Sequence, residues 1–207
     1  MAISFPRTFP THTGIKAINL RAVNQSAISA SPFTFKQQVH KHTGERWEAE
    51  VTLPPMKRTD AEQWIAWLMS MGGLSGTFLM GDPLGATARG AASGTPVVDG
   101  GSQTGSTLTI DGAAASVTGW LKAGDYIQLG GGSSATLHKV LQDADSDASG
   151  GVTLDIWPSL RSTPTDGSTV VVSGAEGRWR LNAAAVDWSI DNAAVFGMTF
   201  GAIEAIT

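Results

Sequence analysis

The sequence predicts a mainly β fold: a β-sandwich with one packed α-helix, carrying an inserted small β domain that is either an OB-like barrel or a second sandwich. Three observations carry this. Twenty-five glycines and nine prolines among 207 residues make about 16% of the chain breakers, which suits many short strands over long helices. Apolar residues recur at period two in most segments and at helical spacing in only one. Charge and glycine content shift abruptly mid-chain and shift back before the end.

The elements follow in order. Ile18, Leu20 and Ala22 alternate with Asn19 and Arg21, as in a half-buried strand. Phe33, Phe35, Gln37 and Val39 alternate with polar neighbours, and so do Trp47, Ala49, Val51 and Leu53. Lys41-His42-Thr43-Gly44 lies between the two runs, so a hairpin turning there is expected. Pro54-Pro55 stops the second run. Thr59-Asp60-Ala61-Glu62 then reads as a capping box. Ala61, Trp64, Ile65, Leu68 and Met71 share one helical face, and Gly72-Gly73 ends the helix at about 59–71.

Residues 1–89 hold 9 basic and 6 acidic side chains, whereas residues 90–177 hold 3 and 9. Small residues flank this acidic block, from Leu84 to Gly94 and from Ser173 to Gly177. They read as flexible joints around an insert at 89–177 in a parent of 1–88 plus 178–207. The insert offers five short β runs, Thr107–Ile110, Tyr126–Leu129, Ala135–Leu141, Val152–Ile156 and Thr169–Val172. Trp179-Arg180-Leu181, Val186–Ile190 and Val195–Ile206 read as closing strands, with Asp191-Asn192 as a turn.

Composition narrows the function. A net charge of -4 argues against a broad nucleic-acid or anionic-membrane footprint. The absence of cysteine excludes disulfides and thiolate metal sites. The N-terminus lacks the basic and apolar regions of a signal peptide, so synthesis in the cytoplasm with no signal peptide is expected. The uncharged run Gln63–Gly81 is a helix and turn, not a membrane span.

No catalytic constellation emerges, and the expectation is that the chain is not an enzyme and holds no cofactor. His40 and His42 have two-histidine spacing on one strand face, with Glu45 and Glu48 as candidate further ligands. The favoured reading is solvated histidines beside a turn. Asp143, Asp145 and Asp147 begin like a calcium loop, but Ala148 stands where glycine is needed and Leu154 where a bidentate glutamate is needed. A solvated turn is expected there, and no metal site is assigned. Glycine runs lack a phosphate-loop ending, and no nucleophile-elbow motif occurs. Of seven tryptophans, Trp47, Trp64 and Trp188 fall at core-facing positions. Trp120 and Trp157 in the insert are speculative glycan contacts.

Trp67-Leu68-Met69-Ser70-Met71-Gly72-Gly73 running into Thr77-Phe78-Leu79-Met80-Gly81-Asp82-Pro83-Leu84 resembles a recurrent segment of tail proteins from long-tailed, non-contractile phages. Leu121–Ile127, Leu137–Val140, Ile156–Arg161 and the ending Val195–Phe200 with Glu204-Ala205-Ile206 are similar to it too. The layout is most similar to the distal tail protein family. That resemblance implies a β-sandwich parent with a helix, forming a homohexameric ring at the distal end of the virion tail, with a small β domain outside. The implied partners are the tail tube protein on one side and hub, baseplate and fibre proteins on the other, without membrane insertion or sequence-specific nucleic-acid binding. The alternatives are a tail tube subunit, or a carbohydrate-binding adhesion module acting through the insert.

Overall fold

The computed structural model describes residues 3–11, 14–190 and 195–206. Its strands are β1 (Ala17–Ala30), β2 (Gln37–Thr52), β3 (Met56–Lys57), β4 (Phe78–Met80), β5 (Gly94–Val98), β6 (Gly105–Ala113), β7 (Tyr126–Leu129), β8 (Thr136–Val140), β9 (Val152–Leu160), β10 (Val170–Val171), β11 (Gly177–Leu181), β12 (Ser189–Ile190), β13 (Val195–Gly197) and β14 (Thr199–Glu204). One helix, α1 (Arg58–Ser70), follows β3. The fold is mainly β with a single helix, as the breaker content and patterning predict.

Strands from the two ends of the chain form a five-stranded sheet in the order β1-β2-β14-β11-β4, and β12-β13-β3 form a small second sheet. Helix α1 buries Ala61, Trp64, Ile65 and Leu68 as its spacing predicts, and Trp67 in addition; Met71, the last residue of the expected face, is buried just past the helix end. Gly72 and Gly73 end it with φ of 59° and 66°, the left-handed region where a Cβ is costly. Around the helix lies an aromatic core. Phe9 sits 5.4 Å from Trp64, 5.3 Å from Trp67 and 5.5 Å from Phe78, centroid to centroid. The N-terminal segment is held there by Arg7 N–H donating to the Thr77 carbonyl and by the Trp67 indole donating to the Thr8 carbonyl at 2.7 Å.

The capping box does not form. The helix starts one residue earlier than expected, with Lys57 at the N-cap and no side-chain cap. Thr59 therefore lies inside the first turn, and Glu62 instead meets Arg58 at 3.1 Å.

Strands β5 to β10 pair only among themselves, in the order β10-β7-β8-β9-β6-β5. A bridge between Val97 and Thr169 brings the two edge strands together, and Val98 N–H donates to the Ser168 carbonyl at 2.9 Å. The sheet is thus a nearly closed barrel, filled by Leu108, Ile110, Trp120, Leu121, Ile127 and Leu154. Strand β5 was not expected from the sequence, because Thr95-Pro96 interrupts its pattern.

The joint leading into the barrel is pinned rather than flexible. Asp125 is buried and accepts hydrogen bonds from the amides of Arg89, Gly90 and Lys122 at 2.8, 3.0 and 2.8 Å. At the other joint, Gly174 N–H donates to the Ala86 carbonyl at 2.7 Å. Small residues here permit close backbone approach, and a Cβ on Gly90 would lie 2.4 Å from the Trp120 carbonyl oxygen.

Candidate functional site

The feature that stands out is a hairpin arm, and its turn is not where the sequence placed it. Strands β1 and β2 pair from Ala17↔Thr52 to Ala30↔Gln37, so the turn is Ser31–Lys36. Lys41-His42-Thr43-Gly44 lies inside the long strand, at an irregularity opposite Gln25. Ser31-Pro32 is the turn signal that the alternation of Phe33 and Phe35 masked. Ser31 N–H donates to the Lys36 carbonyl, and Phe35 N–H to the Ser31 carbonyl, both at 2.9 Å.

Strand β14 supports β2 only as far as Glu48, which pairs with Ile203. Beyond it the arm is a two-stranded ribbon. From Asn24 to Gly44 every residue but Ser31 is exposed, although the segment is apolar in part. Phe33 is 92% exposed, Phe35 80%, and the cross-strand pair Ile28 and Val39 64% and 60%. An uncovered two-stranded hairpin is marginal in water, and clustered exposed apolar groups mark interaction surfaces. Phe35 also holds φ at 53°, where a bulky residue costs about 1–3 kcal/mol. The tip therefore keeps an aromatic ring where glycine or asparagine would be the unstrained choice.

The base of the arm is clamped to the barrel. The Trp157 indole donates to Asn24 Oδ1 at 2.8 Å and meets the Trp47 ring edge-on at 4.5 Å. The Trp47 indole donates to the Leu137 carbonyl at 2.9 Å. Arg161 reaches across to Glu204 at 2.5 and 2.7 Å and to the Glu45 carbonyl at 2.8 Å. Glu45 accepts from the Ser159 amide at 2.7 Å and hydroxyl at 2.9 Å, and its other oxygen meets Lys41 at 3.2 Å. Burial alone would raise the Glu45 carboxyl, but these hydrogen bonds outweigh it and hold it below the usual range.

His138 lies beneath this clamp. Its Nδ1 donates to the Pro158 carbonyl at 2.7 Å, and its Nε2 accepts from the Thr136 hydroxyl at 3.0 Å. Burial, with the nearby Arg161 charge, lowers its pKa from 6.5 to about 4 although the Pro158 hydrogen bond opposes this. The folded ring thus stays neutral while the unfolded ring takes a proton below pH 6.5. Stability is full above that value and falls by about 3 kcal/mol as pH drops towards 4. Urea melts across this window are expected to show the fall, and His138→Gln to flatten it. An equal slope in the variant would refute the assignment.

The other residues named from the sequence are dispersed. Trp120 is fully buried in the barrel, its indole donating to the Ser93 carbonyl, so it presents no face to a glycan. Trp157 is half-buried and occupied by Trp47 and Asn24. Trp47 and Trp64 are core residues as expected, but Trp188 is 41% exposed because only Ser189–Ile190 of its segment forms a strand. His40 and His42 are exposed on the arm, while Glu45 serves Ser159 and Glu48 pairs with Arg46 at 2.6 Å. His12 and the Asp191-Asn192 turn lie outside the described residues.

Asp143, Asp145 and Asp147 each turn to a different backbone partner, the amides of Ala123, Gly119 and Gly151. Hydrogen bonds from Gly151 and Ser149 hold the Asp147 carboxyl below its ordinary value. Among the described residues no group of three His, Asp or Glu side chains is placed to hold a metal. No described helix is long and apolar enough to cross a membrane. A cleft of about 340 Å³ lies over Arg21, Glu48 and Glu50, and Arg21 and Glu48 already approach each other at 3.6 Å. Compared with protein-family models and with curated proteins, the chain matches none of them.

Proposed function

We propose that the chain is a structural subunit of a siphophage tail tip, forming a hexameric ring that joins the tail tube to the hub, baseplate and fibre proteins. The observation that carries this reading is the exposed apolar arm, a ribbon rigidly clamped at its base and uncovered along its length. Such a surface suits a subunit contact better than a solvated end. The similarity of its helix, turn and closing segments to distal tail proteins supplies the kind of assembly. Its role is mechanical rather than catalytic, and the site of action is the distal end of the virion tail.

Negative-stain electron microscopy of the concentrated full chain tests this. Six-fold rings with an open centre are expected. Long tubes would assign the chain to the tail tube instead. Monomers at the highest attainable concentration would overturn the reading as a self-assembling ring.

A further inference from the structure

A cleft elsewhere on the chain complements the arm tip. It is an open, mainly apolar hollow of about 180 Å³, lined by Phe9, Ile15, Met80, Pro83, Ala86 and Ala175. An apolar cavity of roughly 150 Å³ is enough for a benzene ring. Asp82 and Glu176 also line it. Among the described residues the Glu176 carboxyl makes no ion pair, and burial pushes its pKa up, so a cation brought against it would be favoured.

The arm carries the opposite charge. Residues 24–44 hold Lys36 and Lys41 and no acidic residue. With +2 on the arm and -4 overall, the rest of the chain bears -6. Lys36 directly follows Phe35 and both are exposed.

We propose that the Phe35 ring of one copy seats in this cleft of a second copy, with Phe33 packed against its open mouth and Lys36 set against Asp82 and Glu176. This rests on the reading of the chain as a ring subunit and names the contact that closes the ring. A chain cannot fill its own cleft. Ile15 lies just before the start of β1 and the tip just after its end, and β1 itself is 14 residues long, or roughly 45 Å of strand. A protrusion and a cleft at opposite ends of one strand make a head-to-tail contact, which closes into a ring when its rotation allows.

The test uses the full chain, whose lack of cysteine makes introduced thiols unambiguous. A chain carrying Thr34→Cys and Ala86→Cys, treated with a mild oxidant, is expected to give a ladder of linked copies on a non-reducing gel. Each single-cysteine variant should stop at the dimer. Phe33→Ala with Phe35→Gly should keep the thermal melt of the parent chain while weakening self-association by about 30-fold or more. Lys36→Glu and Glu176→Lys should each weaken it, and their combination should restore it. Rings that form without a ladder, and that tolerate the arm substitutions, would overturn this contact and leave the ring reading standing. A ladder without six-fold rings would keep the contact and remove the hexamer. Neither rings nor ladder would overturn both.

Discussion

Trp64→Asp is expected to abolish the cooperative thermal melt and the near-ultraviolet circular dichroism of the folded chain. Trp64 is fully buried, with Phe9, Trp67 and Phe200 at 5.4, 5.7 and 6.2 Å. Truncating a buried tryptophan costs about 3–5 kcal/mol by lost burial and cavity formation. An aspartate adds an unpaired charge where no water can reach it. Together these approach or exceed the roughly 5–15 kcal/mol that holds a domain folded. Trp64→Phe retains most of the packing and should keep a cooperative melt. If the aspartate variant melts cooperatively near the parent temperature, the helix does not pack as described.

Glu204→Ala is expected to cost about 3 kcal/mol, towards the lower end for breaking a buried pair because Arg161 keeps some contact with water. The carboxylate is buried and serves two roles. It pairs with Arg161 through both oxygens at 2.5 and 2.7 Å, and it accepts the Trp47 amide at 3.0 Å. Its loss leaves a cation and a buried N–H without their partner. Combining Glu204→Leu with Arg161→Met removes both charges and should recover part of the loss, since the desolvation penalty also disappears. Urea denaturation of the three chains checks this. A single alanine variant within 0.5 kcal/mol of the parent, on the order of a neutral surface change, would mean that the clamp contributes nothing.

Both predictions concern interactions between residues far apart in sequence, and this is where reading the chain alone failed and succeeded unevenly. Trp64 was legible because one helix writes its own periodicity into adjacent residues. Glu204 was not, because its partners Arg161 and Trp47 are 43 and 157 positions away and no local pattern links them. Trp120 shows the same limit: a lone aromatic between glycine and leucine carries no sign of which side of a barrel wall it faces.

The arm is the sharpest case. Phe33 and Phe35 alternate with polar neighbours, a pattern that reads as one buried face of a strand. The structure puts Phe33 and Phe35 in the turn and Val39 on a ribbon with no sheet behind it. Ser31-Pro32 held the correct signal, but alternation over a longer window outweighed it. Likewise the capping box lost to a helix that begins one residue sooner, where Arg58 takes Glu62.

By itself the sequence determined the β class, the single helix and its buried stripe, most of the short strands, and the exclusion of disulfides. Each of these follows from local spacing or from composition, which the chain states directly. Only the tertiary structure decided where the long hairpin turns, that the joints are pinned, that a barrel nearly closes through Val97 and Thr169, and that an apolar tip and a partly acidic cleft stand at opposite ends of one strand. Those depend on which surfaces meet and which remain uncovered, and burial is a property of the whole fold, not of any window of the chain.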